Sequence, residues 1–408
     1  MNVIVEQTGP SPEGALGNAL GDAVQILNMG PQHPGTHGVL RLLVTLHGEQ
    51  IVDMEPHIGY VHTGIEKNLE YKQYQQGVTL TDRMEYTAAS CNNLAFVLPV
   101  EKLMGLEIPS RATILRVIWA ELSRLSGHLI WIGNHAIDLG AMSVFLYAFR
   151  ERESILDLHE MAAGARMMPS YIRVGGVYYD LPEGWVEKCR EFVCALPGHL
   201  DEYEEMLTNN PIWLTRTQGV GKVAADQAIA MGLSGAPLRA CGIPWDVRKS
   251  DPYCGYETYD FDIPIGQNGD VYDRYLVRVA EIRQSVRIIE QALDRLEPGP
   301  VMTSDPRVAV PPKARAYTRM EELIYHFIIV TDGFNVPAGE AYVPTEGAKG
   351  EVGFYIVSDG TNRPWRAHMR APTFVHIQSL PLLARGHMIA DVISIIASLD
   401  VVLGEADR

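Results

Sequence analysis

The chain has 408 residues, 47% of them hydrophobic, and a formal net charge of −16. That length supports a large buried core and leaves room for two or three domains. The acidic balance excludes the basic footprint that a phosphate backbone requires, so no nucleic acid partner is expected. No run approaches the ~18 apolar residues of a membrane helix, and the first residues lack the basic-then-apolar pattern of an export signal. A cytosolic-side protein is therefore expected.

Residues 1–24 show no periodicity and are expected to form a mobile extension. Then comes Gly30-Pro31-Gln32-His33-Pro34-Gly35-Thr36-His37-Gly38. Histidines four apart on a helix share a face and can grip a metal. Here Pro34 and Gly35 intervene; proline removes a backbone donor and glycine adds a helix penalty of about 1 kcal/mol. The segment is a loop, suited to proton donation or hydrogen bonding, although a Pro/Gly turn with incidental histidines fits the composition equally. Val39–Leu46 and Ile51–Glu55 read as a β-hairpin around His47-Gly48-Glu49.

From about His62 to Met161 the pattern is helical. Ile114, Leu115, Ile118, Leu122, Leu125, Leu129 and Ile132 recur at three- and four-residue steps, with Pro109-Ser110 as a start signal. Asp82 and Glu85 have capping-box spacing, which places Tyr86 about one turn into a helix. Asp273–Glu297 carries a bundle seam from Leu276 to Leu296, stopped by Pro298-Gly299-Pro300, and is assigned to core without chemistry. Ala341–His376 alternates and contains Gly360, Pro364 and Pro372, as strands and turns do. A helix near Asp391–Ser398 leads into a polar tail. Without repeats or linkers, residues 25–408 form one α+β, mostly helical unit. Its expected parts are β-rich (25–60), a central helical bundle (61–300) and a mixed α/β segment returning to the core (301–408).

Cys91, Cys189, Cys194, Cys241 and Cys254 form no C-x-x-C pair. Cys189 and Cys194 lie five apart in a helical stretch, a poor geometry for shared ligation. Reduced, mostly structural thiols are expected.

Four polar clusters occur in order: the Gly30–Gly38 loop, Gly59–Lys67 (GYVHTGIEK), Asp82-Arg83-Met84-Glu85-Tyr86, and Ala397–Arg408 (ASLDVVLGEADR). With Tyr171–Gly176, Gly255–Glu257, Asp270–Arg274 and Ser358–Gly360, they resemble the D-subunit family of bacterial respiratory complex I, the NADH:quinone oxidoreductase. The resemblance covers Gln25 to Arg408 and implies a fold like the nickel–iron hydrogenase large subunit. A working hydrogenase would supply two C-x-x-C pairs, so the resemblance is to that scaffold without its metal centre.

The resemblance implies a quinone-site component of the complex's peripheral arm, inactive when isolated. Quinone reduction takes two electrons and two protons, so each carbonyl oxygen needs a donor within hydrogen-bond reach. His37 and Tyr86 match the family's head-group ligands. Asp138 matches the carboxylate that pairs with this histidine and favours its protonated form. Asp400 would lie at the quinone cavity, and His33 and His62 would be loop scaffolding. Arg83 matches an arginine beside the terminal [4Fe-4S] cluster. No cysteine set here could hold that cluster, so it belongs to the neighbouring B-subunit, with FMN and NADH elsewhere in the complex. The B, C, I and H subunits are the implied partners. The membrane is contacted only through them, on the cytoplasmic side of the bacterial cell membrane, and ubiquinone and menaquinone both remain open. One position departs from the family: Met168 stands where many members carry a cluster-proximal histidine, and a thioether cannot take up a proton.

Overall fold

Alternation builds the first sheet. In β3 (Arg41–His47) the side chains of Leu42, Val44 and Leu46 turn inward, and in β4 (Gln50–His57) Ile51 and Met54 do so. A computed structural model describes residues 5–6, 24–33, 35 and 39–408. β3 and β4 are antiparallel and pair outward with β2 (Val24–Met29) and β1 (Val5–Glu6), in the order β1-β2-β3-β4. Of the expected 1–24 extension, only Val5, Glu6 and Val24 are described, all in strands; the rest lies outside the described residues. β2 had no expectation, because Val24-Gln25-Ile26-Leu27 does not alternate and only Met29 is fully buried.

The helices that bear on the site are α1 (Ile65–Tyr71), α2 (Tyr74–Thr81), α3 (Ala89–Met104), α4 (Ser110–Asp138), α5 (Met142–Ala163) and α6 (Trp185–Leu207). They are followed by α7 (Val271–Asp294), α8 (Pro372–Gln378), α9 (Ile389–Leu399) and α10 (Leu403–Asp407). The predicted period of α4 holds: Leu115, Ile118, Leu122, Leu125, Leu129 and Ile132 are all fully buried. α4 starts after Pro109 as expected, and Leu139-Gly140-Ala141 turns it back into α5. α7 starts two residues early because the Asp270 carboxylate caps it, accepting from Asp273 N at 2.9 Å.

Two differences follow from local chemistry. The predicted strands and turns of 341–376 are β5 (Gly339–Glu346), β6 (Glu351–Ser358) and β7 (Pro364–Arg370), an antiparallel sheet. From Pro372 onward the chain is helical, with proline at the first turn of α8, where its missing donor is no loss. Tyr86 is not one turn into a helix; it sits in the turn segment between α2 and α3. The Asp82 carboxylate accepts from the Ser170 hydroxyl instead of capping, and Glu85 folds back onto Thr87 N and its hydroxyl. Such local bonds compete with helix formation.

The first sheet shares its core with the end of the chain: Leu42, Val44 and Ile51 pack with Val392, Ile395 and Leu399. Ile51 N donates to His387 O at 2.9 Å, tying β4 to the entry of α9. The second sheet packs with the helical bundle, Phe354 meeting Phe96 of α3 edge-on. These closures place Gly35 against Ile393 of α9 and the last residues of the chain on the 82–88 turn.

Candidate functional site

A cavity of about 300 Å³ opens where three elements meet. The 82–88 turn contributes Tyr86 and Thr87. The last two turns of α4 contribute Ile130, Trp131, Asn134, His135 and Asp138. The end of α9 and the strand-like residues after it contribute Ala397, Asp400, Val401 and Val402. The three elements are remote in sequence, so only the closure of the core brings them together. Tyr86, Asp138 and Asp400, each expected from the sequence, line the same space.

The positions are held by specific contacts. α10 is pressed onto the 82–88 turn: a Cβ at Gly404 would lie 2.8 Å from Met84 O and 3.1 Å from Tyr86 Cε1, so only glycine fits. Asp400 adopts φ 56° at the end of α9, and its Oδ2 accepts from buried Lys349 Nζ at 2.5 Å. Trp131 donates from Nε1 to Ala397 O at 2.7 Å, fixing α4 against α9. Behind the indole lies the Arg278 guanidinium of α7, 4.5 Å from the ring centre, with Nη1 donating to Ser398 O at 2.7 Å.

The electrostatics favour groups that keep their protons. Burial alone pushes Asp138 up to about 6. Burial raises the Tyr86 phenol, and the Glu85 and Asp400 carboxylates add to that rise. Tyr86 remains 39% exposed, which leaves its ring accessible from the cavity. Together the cavity offers a phenol donor, a carboxyl that titrates near 6, and an anchored carboxylate beside apolar valine and isoleucine walls.

The remaining expected residues divide. His37 lies outside the described residues, and so does its expected pairing with Asp138. Its loop is fixed at Gly35, where a Cβ would meet Ile393 Cγ1 of α9 at 2.8 Å, and His33 Nδ1 accepts from Gly35 N at 3.1 Å. His62 bonds Asp407 O at 2.6 Å, while Gly59 N and Val61 N each donate to the Asp407 carboxylate at 2.8 Å. The tail is therefore no solvated end: Asp400, Glu405 and Asp407 are buried, and Arg408 Nη1 donates to Glu66 Oε1 at 3.2 Å. Arg83 is exposed, its guanidinium bonding Thr79 O. Met168 is half-buried in the loop after α5. The Ser170–Asp82 hydrogen bond joins those two loops, placing Arg83 and Met168 each within two residues of one junction.

Sequence reasoning missed Lys349, Arg278, Trp131 and the roles of Glu85 and Glu405. Of these, the two glutamates stood inside quoted motifs, and Lys349 in Gly347-Ala348-Lys349-Gly350 had no pattern to mark it. All five cysteines are unpaired, and among the described residues no three His, Cys, Asp or Glu side chains converge as a metal site. Among the described residues no helix is long and apolar enough to cross a membrane.

Residues 138–408 match the family described as respiratory-chain NADH dehydrogenase, 49 Kd subunit. The chain is 56% identical over 406 residues to the NADH-quinone oxidoreductase D-subunit 2 of Chloroflexus aurantiacus, covering 98% of this chain and 99% of that one. It is 53% identical over 385 residues to the D-subunit of Geotalea uraniireducens, covering 94% and 99%. With the D-subunit of Thermus thermophilus it shares 53% identity over 385 residues, 94% of each chain.

Proposed function

Because this chain belongs to the 49 kDa, or D-subunit, family of respiratory NADH-quinone oxidoreductases, we propose that its cavity receives the quinone head group and helps protonate it. The observation that carries this reading is the convergence of Tyr86, Asp138 and Asp400 on one space from three separate elements. A quinone oxygen becomes strongly basic as electrons arrive, and a phenol in hydrogen-bond reach can give it a proton. The second donor on this reading is His37, whose protonated imidazole the Asp138 carboxylate would favour as in the family. Asp400, held by Lys349, closes the far wall.

Electrons come from a [4Fe-4S] cluster carried by the B-subunit, which faces the Arg83 and Met168 side. This chain's own donor set supports that division, because its cysteines have no ligand spacing for a cluster. FMN and NADH reside elsewhere in the complex. The B, C, I and H subunits are the partners, and the chain sits peripherally on the cytoplasmic side of the bacterial membrane.

Replacing Tyr86 with Phe tests the reading. It removes one hydroxyl, worth about 0.5–1.5 kcal/mol in stability, so assembly should survive. Quinone turnover should fall about a hundredfold, at the lower end of what a lost proton donor removes, while NADH oxidation by an artificial acceptor persists. Wild-type quinone turnover in this variant removes Tyr86 from the site.

A further inference from the structure

Behind Tyr86 and Asp400 the wall is built of charge that the proposed reaction has not used. Glu85 and Glu405 are buried, 3% and 1% exposed. One oxygen of each is engaged: Glu85 Oε1 accepts from Thr87 N at 3.1 Å, and Glu405 Oε2 accepts from Thr373 Oγ1 at 2.9 Å. The other oxygens, Glu85 Oε2 and Glu405 Oε1, are buried without a hydrogen-bond partner among the described residues. The tight seat of Gly404 on Met84 and Tyr86 brings α10 against the turn, and the two carboxyls interact electrostatically.

Two ionised carboxylates in one dry site repel each other, and such pairs keep a proton between them. The nearby cation, Lys349, is bonded to Asp400 at 2.5 Å; its charge lowers both glutamates but does not outweigh their burial. The other groups that face the site do not supply a charge to Glu405 directly. Arg278 of α7 faces Asp400, while His376 of α8 is pushed by burial down to about 3 and stays neutral. Cys91 of α3, near Glu85, is pushed by burial up to about 12 and keeps its proton.

We infer that Glu85 and Glu405 share one proton behind the cavity wall and return it to Tyr86 after the phenol has donated, which makes them positioning residues for proton resupply. The inference rests on the quinone-site reading above. The step balances. The Tyr86 O–H bond breaks and its proton joins a substrate oxygen that carries electrons supplied by the partner's cluster, leaving a phenolate. The O–H bond of the glutamate pair then breaks, its proton re-forms the phenol, and both glutamates are left ionised until solvent restores the proton. Glu85 is adjacent to Tyr86 in the chain, and Glu85 and Asp400 both act on the phenol. In support, burial and then Glu85 raise Glu405 to about 8, and burial raises Glu85.

Infrared titration of the assembled complex without quinone reads the pair directly. The wild type should show a protonated-carboxyl band at pH 7 that bleaches as pH rises through about 8, and Glu405→Gln should remove it from the difference spectrum. Turnover should carry the same signature. In the wild type it falls above about pH 8, whereas in Glu405→Gln it is about tenfold lower at pH 7 and flat to about pH 9. Absence of the band in the wild type overturns the inference. So does a uniform loss in Glu405→Gln with the pH profile unchanged, because that marks a structural role. If Glu405→Gln does not assemble, Glu85→Gln and the wild-type titration decide alone. The infrared arm needs no substrate, so failure of the quinone-site reading would show separately, as wild-type turnover in Tyr86→Phe.

Discussion

Glu121 of α4 and Glu405 of α10 are equally buried, yet they hold opposite protonation states. Burial would raise both. At Glu121 the guanidinium groups of Arg124 and Arg248 outweigh it; with the Tyr256 and Ser285 hydroxyls at 2.7 Å, they hold the carboxylate down to about 2. Asp246 is likewise held down to about 2, with Arg248 Nη2 at 2.7 Å, and Arg239 at 2.6 Å keeps Glu281 well below the usual range. Glu346, raised by burial and then by Asp246, is the exception within this bundle network. At the cavity the partners are hydroxyls and one lysine already bonded elsewhere, so burial prevails: Glu405 rises to about 8 and Asp138 to about 6. Burial alone does not decide ionisation. Direct bonds from guanidinium groups do, unless a neighbouring carboxylate crowds the site as at Glu346, and they separate a structural ion network from a site that can hold protons.

The sharpest way to break this contrast is to remove charge from each region. Arg248→Met strands Glu121 and Asp246 as buried anions and should lose about 3–5 kcal/mol, enough to prevent assembly. Glu405→Gln exchanges one neutral group for another at pH 7 and should cost less than about 1.5 kcal/mol. Denaturant unfolding of both chains at pH 7 measures the difference. Equal losses would mean that the two regions are not chemically distinct.

Asp138 sharpens the comparison through pH. Its folded-state value is raised, so it is neutral below about 6 and a carboxylate above. Asp138→Asn is neutral throughout. The variant should therefore match the wild type in quinone turnover below about pH 6 and fall behind it above, by about tenfold at pH 8 if the anion favours a protonated His37. A deficit of the same size on both sides of that value would leave Asp138 as a helix-end residue only.

Much of this was legible because it is periodic. α4, α7 and the β3–β4 hairpin follow from apolar spacing, whereas Tyr86, Asp138 and Asp400 were expected only through the family resemblance. What was not legible is charge that turns inward. Arg274, Arg278 and Glu281 lie at helical spacing on α7 and carried no expectation of their own, yet all three are buried: the arginines donate to Ser398 of α9 and to Gly221 O and Gly269 O, and Glu281 accepts from Arg239. Lys349 is a lone residue in a glycine turn, and its role exists only once Asp400 is folded against it. The turn at Tyr86 was misplaced for a related reason. Asp82 and Glu85 have the spacing of a capping box but spend their oxygens on Ser170 and Thr87, and the first of these is a contact 88 residues away.

The smallest expected effect is at Met168, and it tests whether an imidazole is needed on the side proposed to face the cluster. The loop bearing Met168 is held from behind by His159, which bonds Arg166 O at 3.2 Å and stacks on Trp119 with ring centres 4.6 Å apart. Burial pushes His159 down to about 4, so it stays neutral between pH 6 and 8 and contributes no proton uptake there. The thioether of Met168 cannot titrate either. A one-electron centre that takes up one proton shifts by about 59 mV per pH unit. With a thioether rather than an imidazole at position 168, the midpoint of the cluster expected on the B-subunit should stay nearly flat from about pH 6 to 8. Met168→His places an imidazole with an ordinary value near 6.5 at a half-buried loop position, and it should restore a measurable slope. Quinone turnover should change little, since the cavity donors are untouched. Redox titration by electron paramagnetic resonance at several pH values reads both proteins, and a full slope in the wild type would show that the cluster takes its proton from a neighbouring chain instead.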